Sequence, residues 1–295
     1  MLKNKKNAKH RIQNLRQVFK NVSIIGMGLM GGSLGFSLVS GKLCSRVTGI
    51  GRNINRLKKA LGKKTCHKIT VSYEEGVKEA DLVVISLPVF MIPAAFAAIR
   101  PYLKKGAIVT DMGSVKEMIC GKIAQIDRAG CFTGSHPMAG SEKSGIENII
   151  PGLYKGAVCI VTPGKNKKAA GKVARFWKAL GMRVISMKPG EHDEKTALIS
   201  HAPHLLAFAS VLASRKVIEK SPLVIGPGFK DHTRIAASDA EIWAEIFTAN
   251  KRELLSALDA VVKHAQDIAS MIEMNDMKAL REIISSAAEL RRKVK

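Results

Sequence analysis

From Val22 onward, short apolar runs alternate with stretches whose apolar residues recur at helical spacing. The runs are Val22–Ile25, Val47–Ile50, Leu82–Ser86, Ala107–Asp111, Cys131–Ser135, Ala157–Val161 and Arg183–Ser186. Runs this short, bounded by Gly, Pro or polar residues, fit buried strands. Helical patterns lie between several of them, at Ser33–Ser40, Ile54–Leu61, Lys116–Ala129 and Asn166–Leu180. The alternation predicts an α/β fold whose first part is a doubly wound, mostly parallel sheet. After Pro189-Gly190 the strands stop. Glu191–Arg215 reads as one helix, bent or interrupted at Pro203, because proline removes an interior hydrogen bond. Beyond Gly226-Pro227-Gly228, helices are expected near Phe229–Ala237, Asp239–Ala249, Lys251–Met274 and Asp276–Lys293, with Asp239 and Asp276 as N-caps. The second part is therefore expected to be all-α.

Composition is ordinary for a protein of two domains: 295 residues, 46% hydrophobic and 24% charged. Charge is not ordinary, with 48 Lys+Arg against 24 Asp+Glu and a net +24. Residues 1–20 form a polar, basic extension with no acid. Its apolar residues Ile12, Leu15, Val18 and Phe19 make only a weak helical stripe, which reads as a solvated tail. Without the basic residues of both termini the body is still +13, a field that attracts anions. Nucleic acid is the rival partner, but helix-turn-helix, zinc-finger and RNP-like strings are absent and only 5% of residues are aromatic, so specific nucleic-acid binding is not expected. Five scattered cysteines without a C-x-x-C pair read as reduced thiols in a cytoplasm, not as disulfides or a metal site. Uncharged residues 21–41 superficially resemble a signal peptide, but they hold six glycines at nucleotide-loop spacing. Uncharged residues 82–99 are broken by Pro88 and Pro93, so a strand, a turn and a short helix are expected there, and no membrane span.

Gly26-Met27-Gly28-Leu29-Met30-Gly31 follows the first strand and precedes a helical pattern, the context a dinucleotide loop requires. Gly26 suits the tight turn, Gly28 the approach of a pyrophosphate, and Gly31 close helix–strand packing, with phosphate on the helix N-terminus. This makes 21–189 a Rossmann-like, dinucleotide-binding domain and 190–295 a helical domain. At the end of the second strand stands Gly51-Arg52, where an NAD site usually carries Asp or Glu. Arg52 next to a small residue suits a 2′-phosphate, which favours NADP. If Arg52 only stacks on adenine, the cofactor is NAD or either of the two. Leu87, Pro88 and Asp111 end later strands, where cofactor and substrate meet in such sheets.

Chemistry concentrates in Gly134-Ser135-His136-Pro137-Met138-Ala139-Gly140-Ser141-Glu142. Pro137 restricts His136 to extended backbone at a strand end or loop, and an imidazole near neutrality is a natural proton acceptor. This string resembles the active-site loop of the prephenate and arogenate dehydrogenases. Asp111-Met112-Gly113-Ser114-Val115-Lys116, Ser200-His201-Ala202-Pro203-His204, Asp231-His232-Thr233-Arg234 and Ser238-Asp239-Ala240-Glu241-Ile242-Trp243 resemble the same family in the same order, over roughly residues 21–275. The resemblance implies that His136 takes the proton of a ring hydroxyl and that Ser114 sits near the nicotinamide. Ser114 also reads as an ordinary helix N-cap. By the same resemblance Arg234 anchors a carboxylate of a small dicarboxylate substrate, His204 is the active-site histidine of its pair, and Glu142 orients or gates the substrate. Ser141 stands where relatives often carry Thr. Trp243 and Asp231 line the site, across a dimer interface or within one chain, or simply pack and cap the helices. The spacing of His201 and His204 is half of a metal site, but complementary ligands are not evident and no metal is expected. The implied reaction is oxidative decarboxylation of prephenate with NADP or NAD, arogenate being the alternative substrate, by a monofunctional homodimer joined through its helical domain. A β-hydroxyacid-type dehydrogenase shares the layout but needs a catalytic Lys motif that is not found.

Overall fold

A computed structural model describes residues 17–294. Among them, eight strands form one sheet: β1 (Asn21–Ile25), β2 (Arg46–Ile50), β3 (Lys68–Thr70), β4 (Leu82–Ile85), β5 (Ile108–Asp111), β6 (Phe132–Met138), β7 (Val158–Thr162) and β8 (Arg183–Ser186). Their order is β3-β2-β1-β4-β5-β6-β7-β8. Every pairing is parallel except β6 with β7, where His136 faces Ile160. Seven strands coincide with the apolar runs. β3 was missed, since three residues of graded exposure carry no readable alternation. The central strands β1, β4 and β5 are buried on both faces, as parallel strands covered by helices must be.

The helices of this part are α1 (Leu29–Ser40), α2 (Ile54–Gly62), α3 (Tyr73–Val77), α4 (Met91–Ile99), α5 (Glu117–Ile126) and α6 (Lys167–Ala179). On one face of the sheet Leu34 and Leu38 of α1 share a core with Phe176 and Trp177 of α6. On the other, Ile92 and Phe96 of α4 pack with Ile119 and Ile123 of α5. The expected solvated extension ends sooner than position 20. Phe19 is buried and meets Phe176 edge-on, with ring centroids 6.0 Å apart. Ile12 and Leu15 lie outside the described residues.

From Pro189 every described element is helical: α7 (Pro189–Ala213), α8 (Arg215–Lys220), α9 (Pro227–Thr233), α10 (Ala240–Ala249), α11 (Lys251–Glu273) and α12 (Met277–Lys293). Asp239 and Asp276 cap α10 and α12 as expected. The interruption of α7 precedes Pro203 rather than falling on it, as a π-helical turn over Ala197–His201. Pro203 has no N–H to give the carbonyl one turn back, and the widened turn absorbs the mismatch. Among the described residues, α7 is the one helix long and apolar enough to cross a membrane by length and composition. Uncharged residues 82–99 resolve into β4, a turn and α4.

The two parts are joined through α7. The Asp193 carboxylate accepts backbone hydrogen bonds from Lys116 (2.7 Å) and Glu117 (2.8 Å), satisfying the first donors of α5. The cap of that helix is thus supplied from the other domain. Lys116, not Ser114, is the residue preceding its first turn.

Candidate functional site

Because β1, β2, β4, β5 and β6 run parallel, their C-terminal ends open on one edge. The chain leaves β1 for β2 on one side and returns to β4 on the other, so a crevice forms at that switch point. Gly26 turns the chain there with φ +94°, and a Cβ on it would lie 2.1 Å from the Ser86 carbonyl oxygen. A Cβ on Gly31 would lie 2.0 Å from the Gly26 carbonyl oxygen. Gly28 is different: its Cβ would meet nothing within 4 Å. It opens α1 without a side-chain cap, and the first turn holds no acid, so the leading N–H groups are left for an anion. These features fit a dinucleotide pyrophosphate. Leu29 is buried and Met30 half-buried beneath this turn, while Leu87 and the exposed Pro88 follow β4 on the same edge. Arg52 is exposed one residue beyond Gly51, and Asn53 caps α2.

Asp111 ends β5, but its side chain turns inward. The fully buried carboxylate accepts from the amides of Ser135 (3.0 Å) and Gly113 (2.9 Å) and is paired with the Lys116 ammonium. It shapes the Gly113-Ser114 turn, and Ser114 sits partly exposed in that turn. Lys116 was not singled out from sequence; a buried lysine is costly unless paired, as this one is.

His136 lies near the end of β6 and is 7% exposed. Burial, then the neighbouring His192, Lys116 and His201, hold its pKa well below the ordinary value, so it is neutral at neutral pH. Its Nδ1 is 2.8 Å from His192 Nε2, and His192 Nδ1 is 2.6 Å from Asp193 Oδ1. Sequence reasoning missed His192 and Asp193. They stand in the first turns of α7 among charged neighbours, and only tertiary placement buries them. His201 is also fully buried and faces the same cluster. Asn250 Nδ2 donates to its Nδ1 (3.0 Å) and to the Asp193 carbonyl (2.9 Å), while His201 Nε2 has no partner. Burial lowers the His201 pKa to about 4.

His204 diverges from His201. Its ring stacks on Trp243 at 3.5 Å between centroids and donates from Nδ1 to the Ser200 carbonyl (2.9 Å). That leaves Nε2 as an acceptor. Across the domain joint Arg234 bonds Glu142 at 3.2 Å. Glu142 and the exposed Ser141 belong to the loop between β6 and β7, which is fastened to the nucleotide side as well. Ile150 N donates to Ser33 Oγ (3.0 Å), and Tyr154 Oη donates to the Met30 carbonyl (2.7 Å). One loop therefore runs from the helix under the pyrophosphate crevice to the guanidinium of the helical domain. Asp231 is exposed on α9.

A nucleotide crevice of this kind can hold a hydride acceptor, and a neutral buried imidazole at its edge can accept a proton. Proteins that combine the two are dinucleotide-dependent dehydrogenases. Residues 39–186 match the family model described as prephenate dehydrogenase, nucleotide-binding domain, and residues 188–286 the one described as prephenate dehydrogenase, dimerization domain. The chain belongs to the prephenate dehydrogenase family. It is 30% identical to prephenate dehydrogenase of Bacillus subtilis, over 94% of this chain and 76% of that one. It is 29% identical to cyclohexadienyl dehydrogenase of Zymomonas mobilis, over 93% and 96%. A crystal structure of Aquifex aeolicus prephenate dehydrogenase in complex with hydroxyphenyl propionate and NAD+ superposes with TM-score 0.84 at 32% identity, covering 94% of this chain and 98% of that one.

Proposed function

We propose that this chain oxidises and decarboxylates prephenate, giving 4-hydroxyphenylpyruvate, CO2 and a reduced nicotinamide dinucleotide. Arogenate is the alternative substrate and would give tyrosine. The observation that carries the reading is His136: buried, uncharged, and at the crevice edge of a dinucleotide sheet. The bound dinucleotide supplies the hydride acceptor. Gly26, Gly28, Leu29, Met30, Gly31, Leu87, Pro88 and the Asp111-anchored turn hold it, and Ser114 meets the reacting hydroxyl. As hydride leaves the carbinol carbon, His136 accepts the hydroxyl proton. The bond from the quaternary ring carbon to its carboxylate then breaks, its electron pair aromatises the ring, and His136 returns the proton to the same oxygen. No proton is gained or lost overall.

Arg234 anchors a substrate carboxylate, which takes the place that Glu142 occupies against the guanidinium. His204, Ser141 and Trp243 line the pocket around it. Arg52 favours NADP+, whereas the Aquifex aeolicus relative was crystallised with NAD+. A homodimer through the helical domain is supported by the family description of residues 188–286 and by exposed Leu212, Val262, Ile272 and Ile284. The five free cysteines suit a reducing cytoplasm.

The test is to mix the protein with prephenate and NAD+ or NADP+ and follow reduced-nicotinamide absorbance. A rise with either supports the reading, and the faster cofactor reports on Arg52. His136→Asn should cut turnover by ~10²–10⁴ while dinucleotide binding survives. No rise with prephenate or arogenate in folded protein refutes it.

A further inference from the structure

We infer that His192 and Asp193 form a positioning relay that fixes the proton of His136 on Nδ1, so that bare Nε2 faces the substrate. The inference deepens the proposed reaction and rests on it only for the catalytic arm of the test. Proton placement follows from the contacts in order. Asp193 is acceptor-only when ionised, and its carboxylate is locked by the two backbone donors at the start of α5. At 2.6 Å from Asp193 Oδ1, His192 Nδ1 must carry a proton; a bare nitrogen would set lone pair against lone pair. Burial keeps His192 below its ordinary pKa, so at neutral pH it has that proton alone and Nε2 is bare. At 2.8 Å from this bare nitrogen, His136 Nδ1 must be the donor. His136 is also neutral, which leaves its Nε2 with the lone pair.

The opposite arrangement would put the proton on His136 Nε2, where it could not accept one from a hydroxyl. His192 therefore keeps the base in working order without touching substrate. When His136 becomes cationic during turnover, its Nδ1–H still has an acceptor, and the Asp193 charge stands behind it. Triads of carboxylate, imidazole and reacting group on other folds use the same logic. Here a second imidazole is interposed between carboxylate and base.

The test uses the full chain labelled with 15N-histidine, with long-range proton–nitrogen correlations at neutral pH assigned through single variants. Both His136 and His192 should show a protonated Nδ1 and a pyridine-type Nε2. A protonated Nε2 on His136 would overturn the relay. In the kinetic arm, His192→Leu should lower kcat about 10²-fold, with KM for substrate and dinucleotide affinity within about twofold. His192→Gln, whose carbonyl oxygen can accept from His136, should recover most of that loss. A folded His192→Leu protein within about threefold of wild-type kcat would refute the inference. If that variant fails to fold, the wild-type tautomers still decide. Both Nδ1–H tautomers in a protein inactive on prephenate and arogenate would keep the relay and sink the assigned reaction.

Discussion

His201→Asn is expected to flatten the dependence of stability on pH. In the wild type, burial puts the His201 pKa at about 4, against an ordinary 6.5. The side chain is fully buried, so solvent screening does not dilute the effect. A depressed histidine pKa means that the unfolded chain binds the extra proton first. Stability from this group is complete above pH 6.5, falls as pH drops through the window down to 4, and is gone below it. Between pH 7.5 and pH 5 the linkage relation gives a loss of about 2 kcal/mol from His201 alone, at ~1.4 kcal/mol per pKa unit. Asparagine keeps an acceptor for Asn250 Nδ2 where Nδ1 stood, and it removes both the titration and the unpartnered Nε2. Lost ring packing against Trp243 lowers stability at both pH values equally and cancels in the difference. The assay is urea unfolding at pH 7.5 and pH 5, followed by tryptophan fluorescence. With a slope of ~2 kcal/mol per molar urea, the midpoint should fall by about 1 M less in the variant than in the wild type. Equal pH-dependent falls in the two proteins would refute the reasoning.

Gly28→Ala should fold with wild-type stability yet weaken dinucleotide binding at least tenfold, ~1.4 kcal/mol, because its Cβ enters open crevice and not protein; thermal unfolding and dinucleotide titration check both halves. Gly31→Ala should instead lose about 1–3 kcal/mol of stability, since its Cβ would overlap the Gly26 carbonyl; an unchanged melting temperature would contradict the packing described. Arg234→Gln should raise substrate KM by ~10–10²-fold, the worth of a charge-assisted hydrogen bond, and leave stability within about 1 kcal/mol because its pair with Glu142 is exposed. Arg52→Ala should raise KM for NADP+ about tenfold, equivalent to ~1.4 kcal/mol, and leave KM for NAD+ unchanged; steady-state kinetics with both cofactors decides.

What was legible in the sequence had local causes. Strands buried on both faces write themselves as continuous apolar runs, and Asp239 and Asp276 cap their own helices. The glycine loop is legible because its geometry is backbone geometry. Features created by distant contacts were not. The antiparallel pairing of β7 leaves no periodic signature to separate it from a parallel one. Asp111 ends a strand where ligands gather, yet Lys116 and two amides turn its carboxylate inward. Ser114 looks like a cap, but the first donors of α5 are taken by Asp193 from another domain. His192 and Asp193 look like any polar pair in a first helical turn until α7 is packed against α5.

That interdomain cap limits how this molecule can admit a substrate. Swinging the helical part away from the sheet would strip two amides of their only anionic partner, pull His192 off His136, and part Arg252 from Glu117, now 3.1 Å apart. The joint is thus held by specific hydrogen bonds, several of them buried. The 139–157 loop adds exposed ion pairs on both sides of that joint, Glu142 with Arg234 of the helical part and Glu147 with Lys59 of the nucleotide part. Orientation of His136 and docking of the helical part are therefore one structural unit, so a change that loosens either loosens both.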